Sequence, residues 1–451
     1  MNEEISSSRL HSYFRKYLHY KAPKIAERIM SIYQCGYTPI HLPTGKGIHI
    51  MSNGEESIAF GTTSCRSSWA CPKCTAKVMA KYGEKIGCAI EALAEKDTYA
   101  MMFTLTIPHL PYMSCKDTYT ILQEAYRAFT RDGKTLQRKH TLKDGTQKVY
   151  TIYRNAFAKF KHDLDIKHSV RVYETTYGKN SWHFHIHGLW WTHKKNWHAI
   201  AKYEESIFEY WWKCITNKAK RYWNEKYKDE PEKAEKVLKE TYAKWRKEPK
   251  TGFKSLYISK NPDGTIRKAN SSYYICGWAS NNELTGLAEK RATNGHMTPH
   301  QILEAAYLAK DPETEEKYMN RYLEYTLETR GHCRVYFSMG LNQIIANWQK
   351  TESYKQVVKK KATEYQREKY HYVIFILEQQ WLFLCELDMM NPNDHIIASI
   401  LELAREPDGK DKIIEFCGLY GIDLSENPVP SECCINWVSD VVNAEQQRKL
   451  A

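Results

Sequence analysis

Within the region 170–191, residues Trp182 to His187 alternate apolar and polar side chains with a period of two, the pattern of a strand with one face in a core. Two strands are predicted there, 170–177 and 182–191, with Gly178-Lys179-Asn180-Ser181 as the hairpin loop between them. A third strand is predicted over 99–107, ended by Pro108. Helical spacing predicts helices near 13–33, over about 76–94, from 116 to about 131, and from 195 to about 242. The stretch 133–147 reads as a polar excursion, with Asp144-Gly145 as a hairpin turn signal. Towards the C-terminus 372–387 is strongly apolar, and 396–403 and 412–419 predict short helices. The chain has no internal repeat and no low-complexity segment.

The strand 182–191 carries three histidines. His183, His185 and His187 alternate along it and share one face, while Phe184 and Ile186 point to the other. Two imidazoles at i and i+2 can hold one metal ion. If residues 178–181 form the loop, Tyr177 pairs with Trp182 and Glu174 falls directly opposite His185. Directly opposed Cβ atoms lie about 4.5–5.5 Å apart, close enough to share an ion. A slip of one residue would send Glu174 to the wrong face. The expected metal ligands are therefore Glu174, His185 and His187, with His183 as a further candidate.

A second cluster is cysteine-rich. Cys65, Cys71 and Cys74 fall within ten residues, and closely spaced thiolates in a reducing compartment usually bind zinc, which takes four ligands in a structural site. Cys35, Cys88 or a histidine can supply the fourth. A redox pair is disfavoured because no thioredoxin-like βαβ pattern surrounds the CxxC. The other cysteines of the 13 are mostly scattered singly, which argues against a secreted disulfide framework.

Composition adds limits. The 451 residues suggest two to three domains, and 42% hydrophobic with 26% charged residues is the balance of a globular protein. No apolar run reaches the roughly 18 residues of a membrane span, and the polar first ten residues do not read as a secretory signal. A cytoplasmic protein without membrane contact is expected. The net charge of +13 favours a polyanionic partner. Between Lys213 and Lys268 basic residues outnumber acidic ones, with Trp211, Trp212, Trp223 and Trp245 nearby or interleaved. That mix suits a groove tracking a phosphate backbone, with Lys218, Lys220 and Arg221 as candidate contacts; an amphipathic helical insert with a solvated outer face is the equal alternative. Acidic residues such as Glu402, Glu406, Asp408, Asp411 and Glu415 make the C-terminal region a better candidate for packing or partner binding than for DNA.

The run His185-Ile186-His187-Gly188-Leu189-Trp190 resembles the signature of HUH endonucleases, a histidine-hydrophobic-histidine followed by apolar residues, with Gly188 as a departure. The wider stretch from Glu174 to His187 is similar to the corresponding region of plasmid rolling-circle replication initiators. Met102 to His109 is similar to their upstream strand motif, and the cysteine knuckle to one near their N-terminus. Ser272-Tyr273-Tyr274-Ile275-Cys276-Gly277-Trp278 resembles their tyrosine motif; aligned on Trp278, Tyr274 is the nucleophile and Tyr273 the second candidate. Gly277 stands where that motif has a lysine. Gly331 through Leu341 is similar to a loop after their catalytic core.

The resemblance implies an α+β fold: a five-stranded antiparallel sheet with helices on one face and the metal site on the other, plus a zinc knuckle and helical additions. It implies Mg²⁺ or Mn²⁺ at the histidines and structural Zn²⁺ at the cysteines. Its implied substrate is single-stranded or hairpin origin DNA, with a host helicase and DNA polymerase as partners. Nicking would leave a 5′-phosphotyrosine and a free 3′-OH, and a second transfer, for which Glu283 is a candidate, would rejoin the displaced strand. The expected division is an N-terminal region with the knuckle (1–95), an endonuclease core (96–345) with a basic helical insert at about 195–268, and a C-terminal accessory region (346–451). An HUH transposase or relaxase shares this chemistry. A two-histidine, one-carboxylate iron oxygenase and a non-catalytic zinc-containing DNA-binding protein are readings of other classes.

Overall fold

A computed structural model describes residues 5–42, 46–131, 136–199, 201–247, 253–256, 292, 295–355 and 369–450. Helices α1 (Ser7–Lys21), α2 (Pro23–Arg28) and α3 (Met30–Tyr33) lead into strands β1 (Gly47–Ser52) and β2 (Ser57–Phe60). Then follow α4 (Thr75–Ala94), β3 (Thr98–Thr106), α5 (Cys115–Phe129), β4 (Leu136–Thr141), β5 (Gln147–Ile152), α6 (Ala156–Asp163), β6 (His168–Gly178) and β7 (Ser181–His193). Helices α7 (Glu204–Lys226) and α8 (Pro231–Lys247) precede β8 (Phe253–Leu256), α9 (Pro299–Tyr307), α10 (Pro312–Thr329), β9 (Val335–Phe337) and α11 (Leu341–Trp348). The C-terminal elements are β10 (His371–Leu377), α12 (Glu378–Met390), α13 (Ile396–Leu403), α14 (Gly409–Gly418) and α15 (Glu432–Leu450).

Prolines break two of the expected helices. Ala22 leaves helical geometry at φ −142° just before Pro23, the first residue of α2, which divides the helix expected at 13–33; a second break, without a proline, falls at Ile29 (φ −120°) and leaves three helices. The helix expected at 195–242 opens with 3₁₀ turns over Lys194–Ala199 and breaks again before Pro231. Proline has no N–H to donate and disfavours helix in the residue before it. The apolar run 372–387 divides at Leu377, where a strand gives way to a helix and the Leu377 N–H donates to Gln380 Oε1 at 3.1 Å.

The fold is mixed α+β. Its main sheet has five strands in the order β8-β3-β7-β6-β9, all antiparallel. Phe103, Leu105, Trp182, Phe184, Ile186 and Trp190 fill one face beneath α5, α6 and α7, packing against Leu122, Phe129, Phe157 and Trp211. The opposite face is not left bare, in contrast to the expected one-sided arrangement. Beyond the histidines β7 continues with Leu189 and Trp191 on the histidine face, and with Val170 and Val172 they pack under Met79 and Ile86 of α4 and Leu341 and Ile345 of α11. Apolar residues on both faces of a strand require cover on both. Val335–Phe337, in the segment expected as a loop, is the edge strand β9 paired to β6.

The chain ends, expected as separate regions, share a sheet of order β10-β1-β2, in which Ile48 pairs with Ile376. Trp381, Ile397 and Ile413 of α12, α13 and α14 join Ile48 and Ile50 in its core. The buried Lys16–Asp388 ion pair, 3.5 Å, ties α1 to α12. Strands β4 and β5 form a separate two-stranded ribbon. Among the described residues no helix is long and apolar enough to cross a membrane.

Candidate metal centres

The β6–β7 hairpin fixes the first site. Tyr177 pairs with Trp182 and Glu174 with His185, while Gly178 and Ser181 close the turn as a further pair. The loop is thus two residues tighter than expected, but its centre is the same, so the register holds. Glu174 Oε2 lies 3.0 Å from His185 Nε2 and 3.1 Å from His187 Nε2. One ligand atom from each of the three residues lies within 4.8 Å of the others. Their side chains are 10–15% exposed, so the group is nearly buried but retains some exposed surface. A carboxylate oxygen facing two imidazole nitrogens at hydrogen-bond distance is a donor set a divalent cation can enter by replacing the shared protons.

Neighbouring strand β3 supports these imidazoles. Thr104 pairs with His187 and Thr106 with His185. Thr104 Oγ1 is 2.8 Å from His187 Nδ1, which leaves Nε2 directed at Glu174. His185 Nδ1 is buried with no partner among the described residues. His183 stands apart from the three: its Nε2 is 2.9 Å from Thr106 Oγ1, and its ring stacks on His109 with centroids 4.8 Å apart. The structure therefore groups Glu174 with His185 and His187 and places His183 in a stack beside them. Thr104 and Thr106 were not singled out from the sequence, although their alternation along a strand next to the histidine strand was a usable signal.

Gly188 has a steric reason. A Cβ there would lie 2.2 Å from Phe103 Cζ and 2.6 Å from the Val170 carbonyl oxygen. The Phe103 ring lies across this gap and stacks on Trp190 with centroids 3.8 Å apart.

The second site gathers Cys35 with Cys65, Cys71 and Cys74. Cys35 follows α3, and Cys71 and Cys74 form the turn that opens α4. Cys35 Sγ is 3.4 Å from Cys74 Sγ and 3.7 Å from Cys71 Sγ. Tetrahedral zinc with Zn–S of about 2.3 Å places sulfurs about 3.8 Å apart, so these four could hold a metal such as zinc with little movement. Hydrogen bonding from Cys35, then Cys65 and Cys71, holds the Cys74 thiol far below its ordinary range, while burial pushes Cys71 well up. Cys88, the other cysteine considered as fourth ligand, lies instead within α4 in the core beneath the sheet.

The knuckle is anchored to the sheet. Tyr325 OH donates to the Trp69 carbonyl at 3.0 Å, and Tyr322 OH donates to that of Ala70. Arg334 donates through Nη1 to the Ser68 carbonyl at 3.1 Å and through Nε to the Tyr173 carbonyl at 3.0 Å. Tyr173 immediately precedes Glu174, so one buried guanidinium connects the cysteine loop to the carboxylate strand.

The other expected residues are dispersed. Lys218 Nζ is 3.4 Å from Glu124 Oε2, while Lys220 and Arg221 are exposed on α7. Trp211 and Trp223, expected among groove aromatics, are 0% and 1% exposed; they are core, and Trp211 Nε1 donates to the Thr106 carbonyl. Tyr273, Tyr274, Gly277 and Glu283 lie outside the described residues. No family model, no curated protein and no solved structure matches this chain.

Proposed function

We propose that this protein is a rolling-circle replication initiator of the HUH type, which nicks one strand of a plasmid origin. The observation that carries the reading is the convergence of Glu174, His185 and His187 on one sheet face, with the register that a two-histidine, one-carboxylate site requires. These three side chains would hold Mg²⁺ or Mn²⁺, which when bound polarises a scissile phosphate and stabilises charge on its oxygens. Thr104 keeps the His187 ring in the orientation that presents Nε2. Glu174 is held by its strand and not by a flexible loop, which suits a site that must position a phosphate closely.

In this reading Tyr274 Oη attacks the phosphorus, the P–O3′ bond breaks, and the products are a 5′-phosphotyrosine and a free 3′-OH. A polymerase extends that end while a host helicase unwinds ahead. The site accepts single-stranded or extruded hairpin DNA, because a phosphate must reach a group recessed on a sheet face. The knuckle at Cys35, Cys65, Cys71 and Cys74 serves as a brace holding β6 in register through Arg334.

The test is incubation of the full chain with single-stranded oligonucleotides and Mn²⁺, followed by denaturing electrophoresis. A covalent protein–DNA adduct is expected; Tyr274→Phe and His187→Ala should abolish it and Tyr273→Phe should not. Absence of any adduct over a library of oligonucleotides, together with oxygen uptake in the presence of Fe²⁺ and a 2-oxo acid, would instead favour oxygenase chemistry at the same ligands.

A further inference from the structure

The β4–β5 ribbon serves neither metal centre. It leaves the body between α5 and α6, and residues 137–149 are all exposed. Its strands pair over six rungs, from Leu136↔Ile152 to Thr141↔Gln147. The tip is a formed turn: Gly145 has φ +82°, and Asp144 Oδ1 accepts from the Thr146 N–H at 2.9 Å. A two-stranded ribbon open on both sides gains little from burial and is marginal alone. Its cations are Arg138, Lys139, Lys143 and Lys148, against the single carboxylate of Asp144.

The base of the ribbon continues that charge. Arg127, Arg131, Arg154 and Lys218 line a depression there with one acid, Glu124. Glu124 engages Arg127 at 2.5 Å and Lys218 at 3.4 Å, and Arg131 and Arg154 are exposed. Asn155 Nδ2 donates to the Arg131 carbonyl at 3.2 Å and joins the two ends of the excursion.

We infer that this ribbon is a duplex-DNA-binding arm that inserts into the major groove. The inference deepens the origin-binding part of the reading above, but its test does not require cleavage. Paired strands lie about 4.8 Å apart, and the B-DNA major groove, about 12 Å wide, admits a two-stranded ribbon. The two faces differ in the way such an arm requires. Gln137, Thr141, Gln147 and Thr151, uncharged donors and acceptors able to meet base edges, fall on one face around the Lys139–Val149 pair, whose valine can meet a thymine methyl. Arg138, Lys148 and its cross-strand partner His140 fall on the other, with Ile152 towards the root, and with Lys143 at the tip and Arg131 and Arg154 at the root these cations face the phosphate walls. The narrow major groove of duplex RNA does not admit such an arm, which selects DNA.

Fluorescence anisotropy of the full chain on a 30-base-pair DNA duplex, over a series of salt concentrations, tests this. A variant carrying Arg138→Ala, Lys139→Ala, Lys143→Ala and Lys148→Ala should bind the duplex at least about tenfold more weakly, with a salt slope shallower by about 3. Its affinity for a single-stranded oligonucleotide and its melting temperature should be unchanged, because every altered side chain is exposed. A control losing the same charge at Lys24, Lys310, Lys369 and Lys410, all exposed elsewhere, should bind the duplex within about twofold of the unaltered chain. Unchanged duplex affinity in the ribbon variant, an equal loss in the control, or tighter binding of duplex RNA than of duplex DNA would each overturn the proposal.

Discussion

His187 is the candidate ligand whose orientation is set twice, by Glu174 at Nε2 and by Thr104 at Nδ1. A hydroxyl at 2.8 Å from Nδ1 can accept its proton, and that tautomer leaves a lone pair on Nε2, the atom a cation needs. Thr104→Val keeps the shape of the side chain and removes only the oxygen. It is expected to weaken Mn²⁺ binding about 10–100-fold, measured by titration of the free ion's electron paramagnetic resonance signal, with the melting temperature of the metal-free protein little changed. A purely structural Thr104 would lower the melting temperature and leave the affinity alone. The same scale accounts for Gly188. In the sequence it is an oddity inside an apolar motif; in the structure the direct partner of Phe103 has no room for a methyl group. Pairwise packing of this kind depends on which strand lies alongside, and the two partners are 85 positions apart in the chain.

Among elements, the knuckle joins more of the chain than its own ten residues. Cys35 arrives from the end of α3, Cys65 from the loop before the knuckle, Cys71 and Cys74 from the turn into α4, and the peptides between Cys65 and Cys71 are held by Tyr322, Tyr325 and Arg334. Cys35→Ser should therefore reduce bound zinc from one per chain towards none in metal analysis, whereas Cys88→Ser should retain it, since Cys88 faces the core of α4. The two cysteines are alike in sequence, each one thiol at some distance from the CxxC, so choosing between them needed the fold. The hairpin was legible for the opposite reason. Its partners are local, its turn is short, and a period of two leaves one register that puts Glu174 with the histidines. The second layer on the histidine face was less legible, because α4 and α11 come from regions far apart in the chain and their apolar stripes do not say which sheet face they cover. The pairing of β1 with β10 was hidden for the same reason, across more than 300 residues.

For the molecule as a whole, the seam between the N-terminal helices, the knuckle and the main sheet contains buried neutral histidines. His11 is 1% exposed on α1; its Nε2–H donates to the Ile32 carbonyl at 3.0 Å, and Nδ1 has no partner among the described residues. Burial, reinforced by the charge of Lys73, lowers its pKa to about 3. His300 opens α9 beside the knuckle, and burial lowers it to about 4. In the unfolded chain both would titrate near 6.5. The unfolded state therefore binds protons first as pH falls, and the stability these groups contribute is complete above about pH 6.5 and drains away down to their folded values. Between pH 6.5 and 5 the pair should lose about 3 kcal/mol, before most carboxylates titrate. Urea unfolding at a series of pH values should show this slope, and His11→Gln with His300→Gln should flatten it even if the double variant is less stable at pH 7.5. A wild-type stability constant from pH 7.5 to 5 would mean that the seam opens to water and lets these imidazoles protonate without unfolding.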